Sequence, residues 1–296
     1  MRKPDKKLIA LGVILLLIIA LLAFFVSYLI AGDKRPPAPS PEITTNYTTT
    51  TAPAPTTTAV SAVVIPQSAA DPLIATEYNI LDDNNIRPLP EPITIQINAD
   101  YWYLTLVNNQ YRMPADYAVN TAPAIPGSDV ELDSRVAAAY TAMYNAAATE
   151  GIYLTPYSGF RSYNRQTINY DNKTQMYIDQ GYNETQARAK AAMVIMPPGC
   201  SEHNLGLAMD IIATNDNFYT TKEYSWLDTH AAEYGFILRY PKDKQAVTQV
   251  EYEPWHWRYV GVEFAQAIKA SGLCLEEYLT AINMLPTPMV SVGAVG

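Results

Sequence analysis

Residues 8–31 read LIALGVILLLIIALLAFFVSYLIA, twenty-four consecutive positions without a charge. As an α-helix this run is ~36 Å long, enough to cross a hydrocarbon core of about 30 Å. A helix packed inside a soluble core is normally shorter and keeps a polar stripe. A cleaved signal peptide carries an apolar stretch of about 7–15 residues and then a small-x-small site. Here the run is longer and no clean A-x-A follows, so the sequence predicts an uncleaved anchor, with a cleaved signal as the alternative. The basic flank MRKPDKK (1–7) should stay in the cytoplasm. Everything after Gly32 is then outside, in a single-pass protein of the cell membrane.

Residues 32–72 change character. Segments such as PPAPSPEITTNYTTTTAPAPTTTAV hold few large apolar side chains and cannot bury enough surface to offset the entropy of ordering. The prolines favour extended segments, and about forty residues at ~3.1 Å each would reach roughly 120 Å. Such a linker suits a domain working at a distance from its membrane; a spacer without a specific role fits equally. Residues 73–296 form the working part, with 14 basic and 25 acidic side chains. That balance argues against nucleic-acid binding, which wants a basic surface. Two cysteines in 296 residues rule out a disulfide scaffold, so the core is built from burial.

Within 73–296 the pattern mixes helices and strands without a βαβ period, which predicts an α+β fold: a small antiparallel sheet flanked by helices. Strand-like runs fall at 93–107, in IYLTPYSGF (152–160), at 236–240 and at 248–253. Helices are expected at 131–149 (capped by Asp129 or Ser128 and ended by Gly151), 162–179, 184–193, 225–234, 261–270 and 275–284.

Three histidines are available. His203 sits in SEHNLGLAMD (201–210) and His256 in EPWHWRYVG (253–261). His230 lies within a helical pattern and reads as structural. Two histidines and a carboxylate leave one open position on a tetrahedral zinc, as catalytic sites require; a structural site would want four protein ligands. A nearby carboxylate must then move protons, and Glu253 is the obvious one. Gly206 suggests a turn joining two strand-like ends, so that His203 and Asp210 converge. In a straight strand Glu253 and His256 would point to opposite faces. Either Pro254 breaks the alternation or Glu253 lies off the strand end.

Taken together, SGFRS (158–162), SEHNLGLAMD and EPWHWRYVG resemble the D-alanyl-D-alanine carboxypeptidase family of VanY-type zinc peptidases. Its relatives include the LdcB-type LD-carboxypeptidases of Gram-positive bacteria. The resemblance covers roughly residues 100–284 and leaves out the anchor and linker. It implies a single Zn2+ peptidase domain acting on peptidoglycan stem peptides, with His203, Asp210 and His256 as metal ligands. Glu253 matches the general base. Arg161 matches the arginine that binds substrate and steadies charge on the scissile carbonyl, a task suited to a guanidinium fork. Gln166, Ser201 and Trp255 match positions lining the peptide pocket.

Alternatives stand beside this reading. Arg161 could serve only an ion pair, Glu202 could orient a ligand or simply be solvated, and Trp255 could be core packing. Cys200 and Cys274 read as two buried thiols or as a disulfide. Within the peptidase reading, DD-carboxypeptidase, LD-carboxypeptidase and endopeptidase activities remain open. A catalytically silent wall-binding domain and a non-haem iron oxygenase are the readings from other classes. The oxygenase lacks its short His-x-Asp/Glu spacing here.

Overall fold

The computed structural model describes Ile86 and residues 88–289, all within the second of two compact units, Ala62–Gly296. The apolar run 8–31 and the linker 32–72 lie outside the described residues. Among the described residues no helix is long and apolar enough to cross a membrane.

A short parallel pair, β1 (Ile93–Thr94) and β2 (Tyr111–Arg112), precedes an antiparallel pair, β3 (Thr121–Pro123) and β4 (Glu131–Asp133). Helix α1 (Ser134–Thr149) follows directly. Then come β5 (Pro156–Ser158), α2 (Tyr163–Asp179), α3 (Glu184–Ala192), β6 (Ala208–Ile211), α4 (Lys222–His230), β7 (Phe236–Leu238) and β8 (His256–Tyr259). Helices α5 (Val262–Ser271) and α6 (Leu275–Ala281) complete the order. Strands β5, β6, β8 and β7 form one antiparallel sheet in that spatial order. The mixed helix and small-sheet fold is the one the sequence predicts.

Helix α1 is the main support of the sheet. Val136, Tyr140, Met143 and Ala147 recur at helical spacing and are fully buried, in one core with Met209, Ile211, Phe236 and Trp257. Tyr140 donates its hydroxyl to the Leu154 carbonyl at 2.6 Å, so its polar end is satisfied inside the core. A second core joins Leu104, Leu106 and Val260 to α5 and α6 through Ala265, Ile268, Leu275 and Leu279.

Four expected element boundaries are corrected first. Helix α1 starts at Ser134, not 131, because Glu131–Asp133 pair with β3; Asp133 is the cap, accepting from the Arg135 amide at 2.9 Å. The run 93–107 is a strand only at its start. Asn98 turns the chain by accepting from the amides of Asp100 and Tyr101, and Trp102–Leu104 form a 3-10 turn whose aromatics pack on Tyr259. The strand expected within 152–160 is confined to Pro156–Ser158. Residues 248–253 form no strand: Gln245–Thr248 is a helical turn, and Gln249 takes a left-handed φ of 58°.

Gly206 ends the 3-10 turn Glu202–Leu205 with φ 66°, so one of the two expected strand-like ends is helical instead. A Cβ at this position would lie 2.6 Å from the Asp133 amide nitrogen. A Gly206→Ala chain combines left-handed strain with that clash. It is expected to lose about 2 kcal/mol and, at this domain size, about 4–8 °C in Tm. Calorimetry showing an unchanged Tm would remove Gly206 as the element that fixes this turn.

Candidate metal centre and its cleft

Register brings the first pair of functional side chains together. Asp210 on β6 lies directly opposite His256 on β8, and opposed residues of an antiparallel pair present their side chains on one face. Ser158 on β5 is opposite Asp210 on its other side. His203 arrives from the 3-10 turn, where Ser201 caps the His203 amide at 3.3 Å. Glu253 lies off the end of β8. The Pro254–Trp255 turn intervenes, and the His256 amide donates back to the Glu253 carbonyl at 3.1 Å. That turn lets Glu253 and His256 share a face, which a straight strand would forbid.

Ligand atoms of His203, Asp210 and His256 all lie within 4.8 Å of one another, in a buried cluster. His203 Nδ1 is 2.7 Å from the Gly159 carbonyl. A carbonyl only accepts, so Nδ1 carries the hydrogen and Nε2 presents its lone pair inward. That Nε2 is 3.3 Å from Asp210 Oδ1. His256 is held in the opposite sense. Its Nε2 faces Glu202 Oε2 at 3.4 Å, leaving Nδ1 at 3.2 Å from Asp210 Oδ1 and 3.4 Å from Glu253 Oε2.

Asp210 divides its oxygens. Oδ2 accepts from Arg161 Nη2 at 2.8 Å. Oδ1 is buried and, although near both imidazoles, makes no hydrogen bond. An orphaned carboxylate oxygen between two inward-facing imidazole nitrogens fits a divalent cation. The electrostatics agree. Burial would lower the His256 imidazole, but Asp210, Glu202 and Glu253 reverse this and hold it well above its ordinary value. A cation on the same atoms satisfies the same carboxylates. Burial lowers His203, helped by the Arg161 charge, which keeps it the neutral ligand form. Burial raises the Glu253 carboxyl, with His256 opposing, which suits a group that must both take and release a proton.

Arg161 is fixed at three nitrogens. Nε donates to Ser158 Oγ at 3.0 Å, Nη1 to Gln166 Oε1 at 3.5 Å and Nη2 to Asp210. Gln166 is fully buried and donates to the Met196 carbonyl at 2.7 Å. Sequence reasoning missed Asn204. It accepts from the Gly199 amide and donates to the Arg161 carbonyl at 2.8 Å, tying the metal turn to the arginine's backbone. It also left Glu202 open between an orienting and a solvated role. Glu202 is 1% exposed, which excludes the solvated one.

All eight predicted site residues line one cleft of about 780 Å³: His203, Asp210, His256, Glu253, Arg161, Gln166, Ser201 and Trp255. Tyr157, Arg165, Asn169, Thr214 and Tyr240 extend it. His230 is not among its walls; it packs on Trp226 and meets Glu233 at 3.2 Å. Cys200 and Cys274 are free and buried, so the thiol alternative holds over the disulfide. Burial pushes the Cys200 thiol up to about 12 and raises Cys274 as well.

Residues 129–262, which include all eight cleft residues, match the family model described as VanY, D-alanyl-D-alanine carboxypeptidase. A D-alanyl-D-alanine carboxypeptidase of Enterococcus faecalis is 42% identical over 178 residues, 60% of this chain and 66% of its own length. YodJ of Bacillus subtilis is 36% identical over 197 residues, 62% of this chain and 68% of its own length. Among solved structures, VanYB in complex with D-alanine-D-alanine gives a TM-score of 0.55 at 41% identity, covering 60% of this chain and 98% of that one. A mutant VanY D,D-pentapeptidase in complex with Zn(II) gives 0.54 at 42%, covering 60% and 99%. The LdcB LD-carboxypeptidase gives 0.54 at 34%, covering 64% and 94%.

Proposed function

The chain belongs to the VanY family of D-alanyl-D-alanine carboxypeptidases, and from that premise we propose that it is a zinc-dependent carboxypeptidase removing a terminal D-alanine from peptidoglycan stem peptides. The observation that carries this reading is the orphaned Asp210 Oδ1 between two inward-facing imidazole nitrogens, with Glu253 3.4 Å from one of them. His203 Nε2, Asp210 Oδ1 and His256 Nδ1 would hold the metal. When bound, zinc supplies Lewis acidity, polarising a carbonyl and lowering the pKa of a water to about 7.

The chain's own residues do the rest. Glu253 takes a proton from the attacking water and returns it to the amine nitrogen as the peptide C–N bond breaks. Arg161 donates to the oxygen on which negative charge builds, and its three anchors keep the guanidinium from having to reorganise as it does so. Gln166 acts mainly on Arg161, because its carboxamide is already engaged by Arg161 and the Met196 carbonyl. Ser201 and Trp255 form the wall against which the peptide lies. The apolar run 8–31 and the Pro/Thr-rich linker support a membrane-tethered enzyme with its domain outside the cell.

Purified full-length chain, loaded with zinc, is incubated with stem tetrapeptide and pentapeptide and read by mass spectrometry. Loss of one D-alanine that stops on adding chelator is the expected result. Cutting of the pentapeptide assigns DD and cutting of the tetrapeptide LD specificity. No loss from either peptide by a zinc-bound chain would sink the carboxypeptidase reading and leave the endopeptidase and wall-binding alternatives.

A further inference from the structure

Behind the metal ligands lies a cluster of four buried charges that the chemistry above does not use. Glu202, Arg239 and Arg258 are at most 1% exposed, and Glu276 is 5% exposed. Glu202 Oε1 meets Arg239 Nε at 2.6 Å and Arg258 Nη1 at 2.7 Å. Glu276, on α6, takes the other two nitrogens of Arg239 at 2.9 and 2.6 Å. Arg258 Nη2 donates to the carbonyls of Tyr103 and Thr105. Both arginines therefore use one oxygen of Glu202. The other, Oε2, faces His256 Nε2.

We infer that Glu202 is a positioning residue for His256: it accepts the Nε2 hydrogen and so turns Nδ1 toward the metal, while Arg239 and Arg258 fix Glu202 from behind. The inference rests on reading the cleft as a metal centre. Two observations carry it. First, two arginines and two glutamates sum to zero, so the cluster is balanced without His256, and the contact to the imidazole is an orienting one. Second, a purely structural role has no need of Oε2. A buried ion-pair cluster is weak support for stability, because apolar residues of equal volume often replace one without loss. A carboxylate behind a ligating imidazole, by contrast, fixes its tautomer and raises its basicity.

The geometry reaches far along the chain. Arg258 stands on the same face of β8 as His256, two residues on, and the Arg239 amide donates to the His256 carbonyl at 3.2 Å. Through Arg258 the alignment of one imidazole is tied to the segment around Thr105.

The test compares Glu202→Gln with Glu276→Gln in the full-length chain. Both remove one charge from the same cluster, but only Glu202 touches the metal ligand. Zinc affinity is measured by competition with a chromophoric chelator, and the visible spectrum is recorded after loading with Co(II). Glu202→Gln is expected to weaken zinc about 10–100-fold and to shift the Co(II) bands. Glu276→Gln should lower Tm while binding zinc within about threefold of the parent chain. Equal, parent-like zinc affinity in both variants overturns the inference, and so does an equal loss in both. If Glu202→Gln fails to fold, 15N NMR of the zinc-loaded parent decides. His256 protonated at Nε2 and metal-shifted at Nδ1 supports the inference, and metal on Nε2 overturns it. A parent chain that binds no zinc removes the metal-centre reading and the inference with it.

Discussion

Glu253→Gln is expected to keep the metal and lose about a thousandfold in kcat. Glutamine preserves the size and most of the packing of a side chain that is 9% exposed, so the fold and the ligand set should survive. What it cannot do is accept a proton. In the proposed reaction the carboxylate receives one from the attacking water and delivers it to the departing amine, so both halves fail together. The diagnostic is the combination of parent-like zinc stoichiometry with turnover near background. A variant with full zinc and turnover within tenfold of the parent would exclude Glu253 as the base. Its neighbour on the sheet face, Asp210, is bound on one oxygen by Arg161 and is poorly placed to substitute.

His203→Ala should abolish zinc binding and activity together. Removing one of three protein ligands costs more than the 10–100-fold typical of a supporting residue. The effect is separable from misfolding by thermodynamic linkage. Zinc at a hundredfold excess over its Kd should stabilise the parent by about 2.7 kcal/mol, or about 5–10 °C for a domain of this size. The variant should melt cooperatively with no zinc-dependent shift. His230→Ala serves as the control, since His230 sits at the end of α4 away from the cleft walls; it should keep both the shift and the activity. A zinc-dependent rise in Tm of the same size in His203→Ala would remove His203 from the ligand set.

The cleft was legible in the sequence where its chemistry is local. His203 and Asp210 are separated by a short turn that Gly206 marks, and Glu253 and His256 by another that Pro254 marks. What the sequence hid is pairing over distance. Nothing in SEHNLGLAMD says that Glu202 meets Arg239 and Arg258, which lie far along the chain and come within reach only through the order of β6, β8 and β7. Asn204 was hidden for the same reason: its partner, the Arg161 carbonyl, is in another segment. The misplaced strands have a local cause. The 93–107 run is rich in β-branched and aromatic residues because it covers Tyr259 and the second core, and such residues mark burial as readily as extension. Val250 in 248–253 is likewise buried, against Met196 and Cys200, without pairing in a sheet.

The two free thiols give the molecule a built-in reporter. Cys200 immediately precedes the cap of the metal turn, and Cys274 caps α6 two residues before Glu276 of the buried charge cluster. Both are buried in the folded domain, and burial, by raising the pKa of each, keeps it from forming thiolate. Alkylation therefore proceeds only as fast as each surrounding opens. A reagent that modifies Cys200 sooner than Cys274 times the breathing of the cleft wall, whereas equal rates time the unfolding of the whole domain.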